Sequence, residues 1–512
     1  MKFLGLHHVS INVSDLEQAA QFYTTLGLEP IPGANARVRW FRLGRNELHL
    51  IATEKPITRC EDESDYHLAM EVEDIQTAGQ AIIAAGGTVL QEARQRPHDG
   101  SWYLFALDPD GNRLELTQHA PDWHLRNALV DEIVRKGSIT QSWVEATLRA
   151  VPRHLFLPKH TLHEIYKDDP ILTKQEGEAR SSSSQPSIVT IMLEQLGLQP
   201  GERVLEIGAG TGWNAALMAH LVGTGGHVTT IDIDEDTVAF ARENLTQAGV
   251  GNVEVIHADG GFGYALAAPY DAIIATAGIW DITPHWLEQL REDGRFLAPL
   301  WFNTLQFCGV FRKENGKLVS QSFRAGGFMP LRGEYAGARS QIAEDGIYME
   351  FDNAIGVDAA ALRELLHTPA RELCVLALRD EGNFRLIDYL ALTGEPLVHL
   401  QMTIPDGPSD GFALVHPGKS VIFLNARWGG GKIAPTLRLY GDDSTLLRLQ
   451  ETTNQWNERG RPGLASAHIT ITPKGTMAPA PGGLVLSKQW MEYHLTFDAA
   501  PEEQTATSGE IT

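Results

Sequence analysis

The sequence predicts an α/β protein in three parts, on three observations. Residues 1–120 hold two copies of one βαβββ unit. An apolar strand, Val204-Leu-Glu-Ile207, opens into a glycine-rich loop and then a helix, the beginning of a doubly wound parallel sheet. Past residue 330, alternating apolar runs and two helical runs follow, which reads as an α+β extension over 331–498.

Composition bounds the functional classes. With 512 residues, about three domains are expected. Hydrophobic residues at 43% and charged residues at 21% are ordinary for a globular chain. Lys+Arg 42 against Asp+Glu 65 leaves −23, which argues against nucleic acid or an anionic membrane as partner. Cys60, Cys308 and Cys374 are far apart, with no C-x-x-C, as in a reducing compartment. The chain enters a strand pattern at once, without a leader, and no apolar run is long enough to span a bilayer. A cytoplasmic location is the expectation.

The first part is built by duplication. His8-Val-Ser-Ile-Asn-Val-Ser-Asp15 matches His67-Leu-Ala-Met-Glu-Val-Glu-Asp74, and the offset of 59 holds again for Ala19/Ala78 and Gly27/Gly86. Asp15 and Asp74 stand where helix N-caps belong. The unit ends correspond too: Asn46-Glu-Leu-His-Leu50 against Asn112-Arg-Leu-Glu-Leu116. A duplicated βαβββ unit ending in Asp108-Pro-Asp-Gly-Asn-Arg-Leu-Glu115 resembles the vicinal-oxygen-chelate (glyoxalase/bleomycin-resistance/dioxygenase) family. That resemblance implies a cup in which His8, His67, His49 and Glu115 ligate a divalent metal. Three imidazoles and a carboxylate suit Zn²⁺, Ni²⁺, Fe²⁺ or Mn²⁺. The competing reading is a cup without metal, serving to bind a small ligand.

The second part carries the sharpest motif. Val204-Leu-Glu-Ile-Gly-Ala-Gly-Thr-Gly212 runs straight into the helical stretch Trp213–Leu221. A dinucleotide fingerprint is G-x-G-x-x-G; here the third glycine comes one residue early, with Trp213 in its place. Val228-Thr-Thr-Ile-Asp232 is a second strand ending in an acid that can accept hydrogen bonds from both hydroxyls of a ribose. Val253–His257 leads to Asp259-Gly260, and Pro269–Ile274 reads as a fourth strand. The E-x-G-x-G-x-G form resembles motif I of the class I methyltransferases, which have a Rossmann-like fold and bind S-adenosyl-L-methionine. The resemblance makes Glu206, Gly208, Gly210, Gly212, Asp232, Asp259 and Gly260 cofactor-binding, with Asp232 on the ribose and Asp259 beside the adenine.

The flanks narrow the family. Val151-Pro-Arg-His-Leu-Phe-Leu-Pro158, Tyr166-Lys-Asp-Asp169 and Ser181-Ser-Ser-Ser-Gln-Pro186 precede the glycine loop; Pro269-Tyr-Asp271 and Ala275-Thr-Ala277 follow it. This order over about 124–330 is similar to the protein-L-isoaspartate (D-aspartate) O-methyltransferases. The resemblance implies a carboxyl O-methyltransferase acting on L-isoaspartyl or aspartyl residues of proteins or peptides, with Ser184 as its active-site serine. One departure bears on the acceptor. Where the family has G-Q-T-I-S, this chain has Arg180-Ser-Ser-Ser-Ser184, after a longer polar loop that carries Lys174-Gln-Glu-Gly-Glu178. Arg180 is either a solvated cation or a carboxylate-binding one.

In the extension, Ser420–Leu424 and Ser466–Thr472 read as strands, and Asp358–His367 and Ser444–Glu458 as helices. Gly429-Gly-Gly-Lys432 lacks the flanks of a P-loop and reads as a turn. Ala499–Thr512 is expected to be a disordered tail. The Gly327-Phe-Met-Pro-Leu-Arg-Gly333 segment resembles variant isoaspartate-type enzymes that act on an aspartate of a dedicated ribosomal peptide and lead to an aspartimide. That is one rival reading. The other is a small-ligand binding or resistance protein whose methyltransferase fold is degenerate.

Overall fold

The computed structural model describes residues 7–32, 36–44, 46–55, 67–96, 101–176, 179–337, 339–344, 346–352, 356, 358–374, 383–404, 407–424 and 436–498. The expected turn at Gly429–Lys432 and tail at 499–512 lie outside them. The chain forms two compact units, 1–128 and 129–512.

In the first unit the duplication is real at the level of backbone. The first copy runs strand His8–Val13, helix Leu16–Thr25, then strands Glu29–Ile31, Val38–Leu43 and Asn46–Ala52. Its last strand returns parallel to its first, pairing His8 with Glu47. The second copy repeats this with strand Leu68–Glu71, helix Ile75–Ala84 and closing strand Arg113–Gln118, and Leu68 faces Leu114. A short extra strand, Arg94–Gln95, departs from the repeat. Each helix starts where the sequence places it. The Asp15 carboxylate accepts hydrogen bonds from the Glu17 and Gln18 amides, and Asp74 accepts from Thr77. Such caps contribute roughly 1 kcal/mol each. Leu16, Ala19, Phe22 and Tyr23 make the buried face of the first helix, and Ile75, Gly79 and Ile82 that of the second. These faces meet sheet residues such as Phe41, Leu48, Leu104 and Leu116 in one core.

The second unit is organised by a ten-stranded sheet. Its parallel half has the order Val253–His257, His227–Asp232, Arg203–Ile207, Tyr270–Ala275, Leu290–Phe302. Helices Trp213–Val222 and Glu235–Gln247 connect its first strands, a Rossmann-like arrangement. Strand order reverses between 203–207 and 270–275, so a crevice opens at the carboxyl ends of those two strands, the position where such sheets bind ligands. Antiparallel strands Leu305–Glu314 and Lys317–Ala325 then extend the sheet.

Residues 467–497, expected within the extension, also join this sheet. Leu318 pairs with Ile471 and Val319 with Thr470, and strands Ala467–Pro473, Met491–Phe497 and Leu484–Ser487 finish it. A separate seven-stranded sheet is built from 339–441, with helix Ala359–Leu366 packed in its core and Ser444–Glu458 following. The segment 488–493 is held by a buried polar knot. Fully buried Asp281 accepts from the Tyr493 hydroxyl at 2.9 Å and the Trp490 amide at 2.7 Å. Lys488 donates to the carbonyls of Trp280 and Trp301 at 2.5 and 2.6 Å. Among the described residues no helix is long and apolar enough to cross a membrane.

Candidate active site

The crevice is a cavity of about 460 Å³, within the range of small-molecule sites. Its floor is the loop after strand 203–207. Gly208 and Gly210 have φ of +101° and +52°, and a Cβ on Gly208 would stand 2.6 Å from the Thr276 hydroxyl, so side chains are barred there on two counts. Gly212 caps the following helix at φ +84°, away from the cavity wall, and Trp213, in the place of the dinucleotide glycine, lines the cavity.

Glu206 and Asp232 enter from adjacent parallel strands. Glu206 is fully buried and accepts from Asn214 Nδ2 at 2.7 Å and the Thr230 hydroxyl at 2.6 Å. Burial pushes its carboxyl up to about 7. Asp232 accepts from the Gly210 amide at 3.2 Å and the Asp234 amide at 3.1 Å, which leaves lone pairs on both oxygens toward the cavity. Burial also raises its pKa. Gly260 lines the cavity; Asp259 does not. Asp259 caps the turn Gly260–Phe262 through the Gly261 amide at 2.9 Å, and its other oxygen accepts from the Glu334 amide at 2.7 Å.

Ser184 also lines the cavity, just after the paired strands Ile171–Glu176 and Ala179–Ser183. Among the described residues its hydroxyl makes no hydrogen bond. Its carbonyl is fixed by Arg153 Nη2 at 3.0 Å. Arg153 is 1% exposed and also donates to the carbonyls of Ile165 at 2.7 Å, Lys167 at 3.2 Å and Asp169 at 3.2 Å, with its guanidinium 5.1 Å from the Trp213 ring centre. Burial pulls it down to about 10, so it stays charged at neutral pH. It therefore ties the 165–169 segment and the serine loop to the cofactor loop.

Two covers are fastened beside Asp232. The segment 327–332 lines the cavity, and Arg332 grips Asp234 bidentately at 3.1 and 2.7 Å. Lys174 of the hairpin reaches the same Asp234 at 3.3 Å and Asp236 at 2.7 Å. Arg332 holds the Asp234 carboxyl below its ordinary value. Arg153, Lys174 and Arg332 lie in segments visible in the sequence, but nothing local in those segments marks their part in this geometry.

The four residues expected to bind metal do not form one group. His8 stacks on His49 with ring centres 4.2 Å apart, and His49 Nε2 lies 2.8 Å from Glu47. His67 Nε2 lies 2.8 Å from Glu115, whose other oxygen takes Arg96 and the Thr117 hydroxyl. Among the described residues no cluster of three or more His, Cys, Asp or Glu side chains could hold a metal ion. A guanidinium on the would-be carboxylate ligand opposes a cation there, so the donor set does not fit a divalent metal.

The chain is similar to two families in two places. Residues 124–336 match the family model of Protein-L-isoaspartate(D-aspartate) O-methyltransferase, and residues 5–116 match that of the Glyoxalase/Bleomycin resistance protein/Dioxygenase superfamily. A protein-L-isoaspartate O-methyltransferase of Hyperthermus butylicus is 39% identical over 219 residues, covering 41% of this chain and 89% of that protein. The second such protein of Archaeoglobus fulgidus is 37% identical over 210 residues, covering 41% and 94%. A solved protein-L-isoaspartate O-methyltransferase structure is 24% identical with a TM-score of 0.42, covering 67% of this chain and 96% of that one.

Proposed function

The chain belongs to the protein-L-isoaspartate O-methyltransferase family through residues 124–336, and from that premise we propose that it methylates the free carboxylate of an L-isoaspartyl or aspartyl residue in a protein or peptide. The supporting observation is one cavity lined by Asp232, the glycine loop and Ser184, whose hydroxyl makes no hydrogen bond among the described residues. The residues fit S-adenosyl-L-methionine: an acid with open lone pairs at the end of the second strand, a loop with no side chains at 208 and 210, and adequate volume. When bound, that cofactor supplies an electrophilic methyl group on a sulfonium.

The protein's own work is positioning. An acceptor carboxylate is already ionised at neutral pH, so no general base is needed. Ser184 donates a hydrogen bond that orients the carboxylate oxygen toward the methyl carbon, and Arg153 keeps the Ser184 backbone at the required place. Asp232 holds the ribose hydroxyls, while Glu206 braces the loop through Asn214 and Thr230. Gly208, Gly210 and Gly212 shape the loop, and Gly260 borders the cavity. Asp259 acts by fixing the 260–262 turn and the 333–334 backbone beside the cofactor.

Steady-state kinetics on a short L-isoaspartyl peptide test the assignment. Ser184→Ala should lower kcat by about 10- to 100-fold with cofactor affinity within about twofold of the parent. A Ser184→Ala variant with the parent's kcat would remove Ser184 from this role.

A further inference from the structure

The acceptor side of the cavity holds a charge that methyl transfer to a lone carboxylate does not require. Two cations line it among the described residues, Arg180 and Arg332. Arg332 is fully engaged on Asp234. Arg180 makes no hydrogen bond or ion pair with any described residue, and its side chain is exposed at the cavity mouth. Its backbone position is set: it sits in the strand Ala179–Ser183, paired with Gln175.

The strand alternates cleanly. Ser181 and Ser183 are buried at 9% and 3% exposure, whereas Arg180, Ser182 and Ser184 are all more open. Alternate residues of a strand share a face, so Arg180 and Ser182 stand in one row that Ser184 continues. At about 3.3 Å per residue, Arg180 lies roughly 13 Å from Ser184 along that row, and its long side chain can shorten the gap by about half. The row borders the cofactor loop, since the Ser182 carbonyl is 3.4 Å from where a Gly210 Cβ would be.

We infer that Arg180 selects acidic peptide segments, reading a second carboxylate two or so residues from the one that is methylated. A guanidinium binds such a group bidentately. The requirement for a local cation is sharper in this chain because its net charge of −23 repels acidic peptides at long range. The inference rests on the proposed carboxyl methyltransferase reading for the part Ser184 plays.

The test uses the full chain and capped hexapeptides holding one L-isoaspartate, with glutamate or glutamine two residues before or after it. Two quantities are read: kcat/KM for methyl transfer, and peptide affinity by fluorescence anisotropy with S-adenosylhomocysteine present. The glutamate peptide should be favoured by about tenfold at low salt, and the preference should shrink as salt rises. Arg180→Gly should bring the glutamate:glutamine ratio to about one, Arg180→Lys should keep part of it, and Arg180→Glu should shift preference to a lysine-flanked peptide.

A parent that does not discriminate, or an Arg180→Gly variant that keeps the parent's ratio, overturns the inference while leaving the transfer reading in place. Arg180-dependent binding of the glutamate peptide, with no transfer to any peptide, would instead retain Arg180 and remove the isoaspartyl reading. If Arg180→Gly fails to fold, the reversed preference of Arg180→Glu decides the matter by itself.

Discussion

Asp232 and Glu206 sit on neighbouring strands yet differ in what they have left to give. Asp232 accepts two backbone amides and keeps lone pairs toward the cavity, so Asp232→Ala should weaken S-adenosylhomocysteine binding by at least about tenfold in calorimetry. An unchanged dissociation constant would contradict the ribose assignment. Glu206 is buried and its folded pKa, about 7, lies above its ordinary 4.5. A raised carboxyl contributes stability below pH 4.5 and loses it as pH rises through 7, a change of about 3 kcal/mol. Glu206→Gln should therefore show a smaller fall in denaturant-unfolding free energy between pH 4.5 and 7.5 than the parent; an identical fall would refute the assignment. Asp388, raised to about 7 by burial, acts in the same window and keeps the variant's curve from being flat. These acids were legible in the sequence because a strand end and a glycine loop fix their positions locally. The partners of Glu115 were not: the duplication sets His49 at the equivalent place and groups both with His8 and His67, but Glu115 pairs with His67 and with Arg96, which lies just past the short strand Arg94–Gln95, and that contact turns a ligand set into an ion pair.

At the level of elements, the cofactor loop, its helices and both N-caps of the duplicated unit follow from periodicity and capping chemistry. Helix Ser444–Glu458 has the expected bounds, and the helix expected over Asp358–His367 runs Ala359–Leu366 with those two residues as its caps. What the sequence does not reveal is how distant segments close on the site. Arg332 and Asp234 are 98 residues apart, and nothing in either neighbourhood names the other. The hairpin and the 327–332 segment share Asp234 as anchor, so Arg332→Ala should raise amide hydrogen exchange in both 327–334 and 171–176. Exchange that rises in 327–334 alone would show that the two covers move independently.

Across the whole molecule, the extension is interleaved rather than appended. Strand Lys317–Ala325 has Ala467–Pro473 as its outer neighbour, and Asp281 has Tyr493 and Trp490 as partners. Ending the chain at residue 336 would bare a sheet edge and leave a buried carboxylate unpaired. Such a truncation should lose its cooperative thermal transition and its cofactor binding, whereas removal of 1–120, which has its own core, should leave both in place. A cooperatively melting, cofactor-binding 1–336 fragment would contradict this. The sequence placed strands in the C-terminal third, but strand partners a hundred or more residues away cannot be chosen from alternation alone.

The most direct measurement is methyl transfer from labelled S-adenosyl-L-methionine to two peptides that differ only in the linkage of one residue, L-isoaspartyl or normal aspartyl. Base-labile label is expected on the isoaspartyl peptide. No label on either peptide, with cofactor binding intact, would contradict it and return the acceptor to a dedicated peptide.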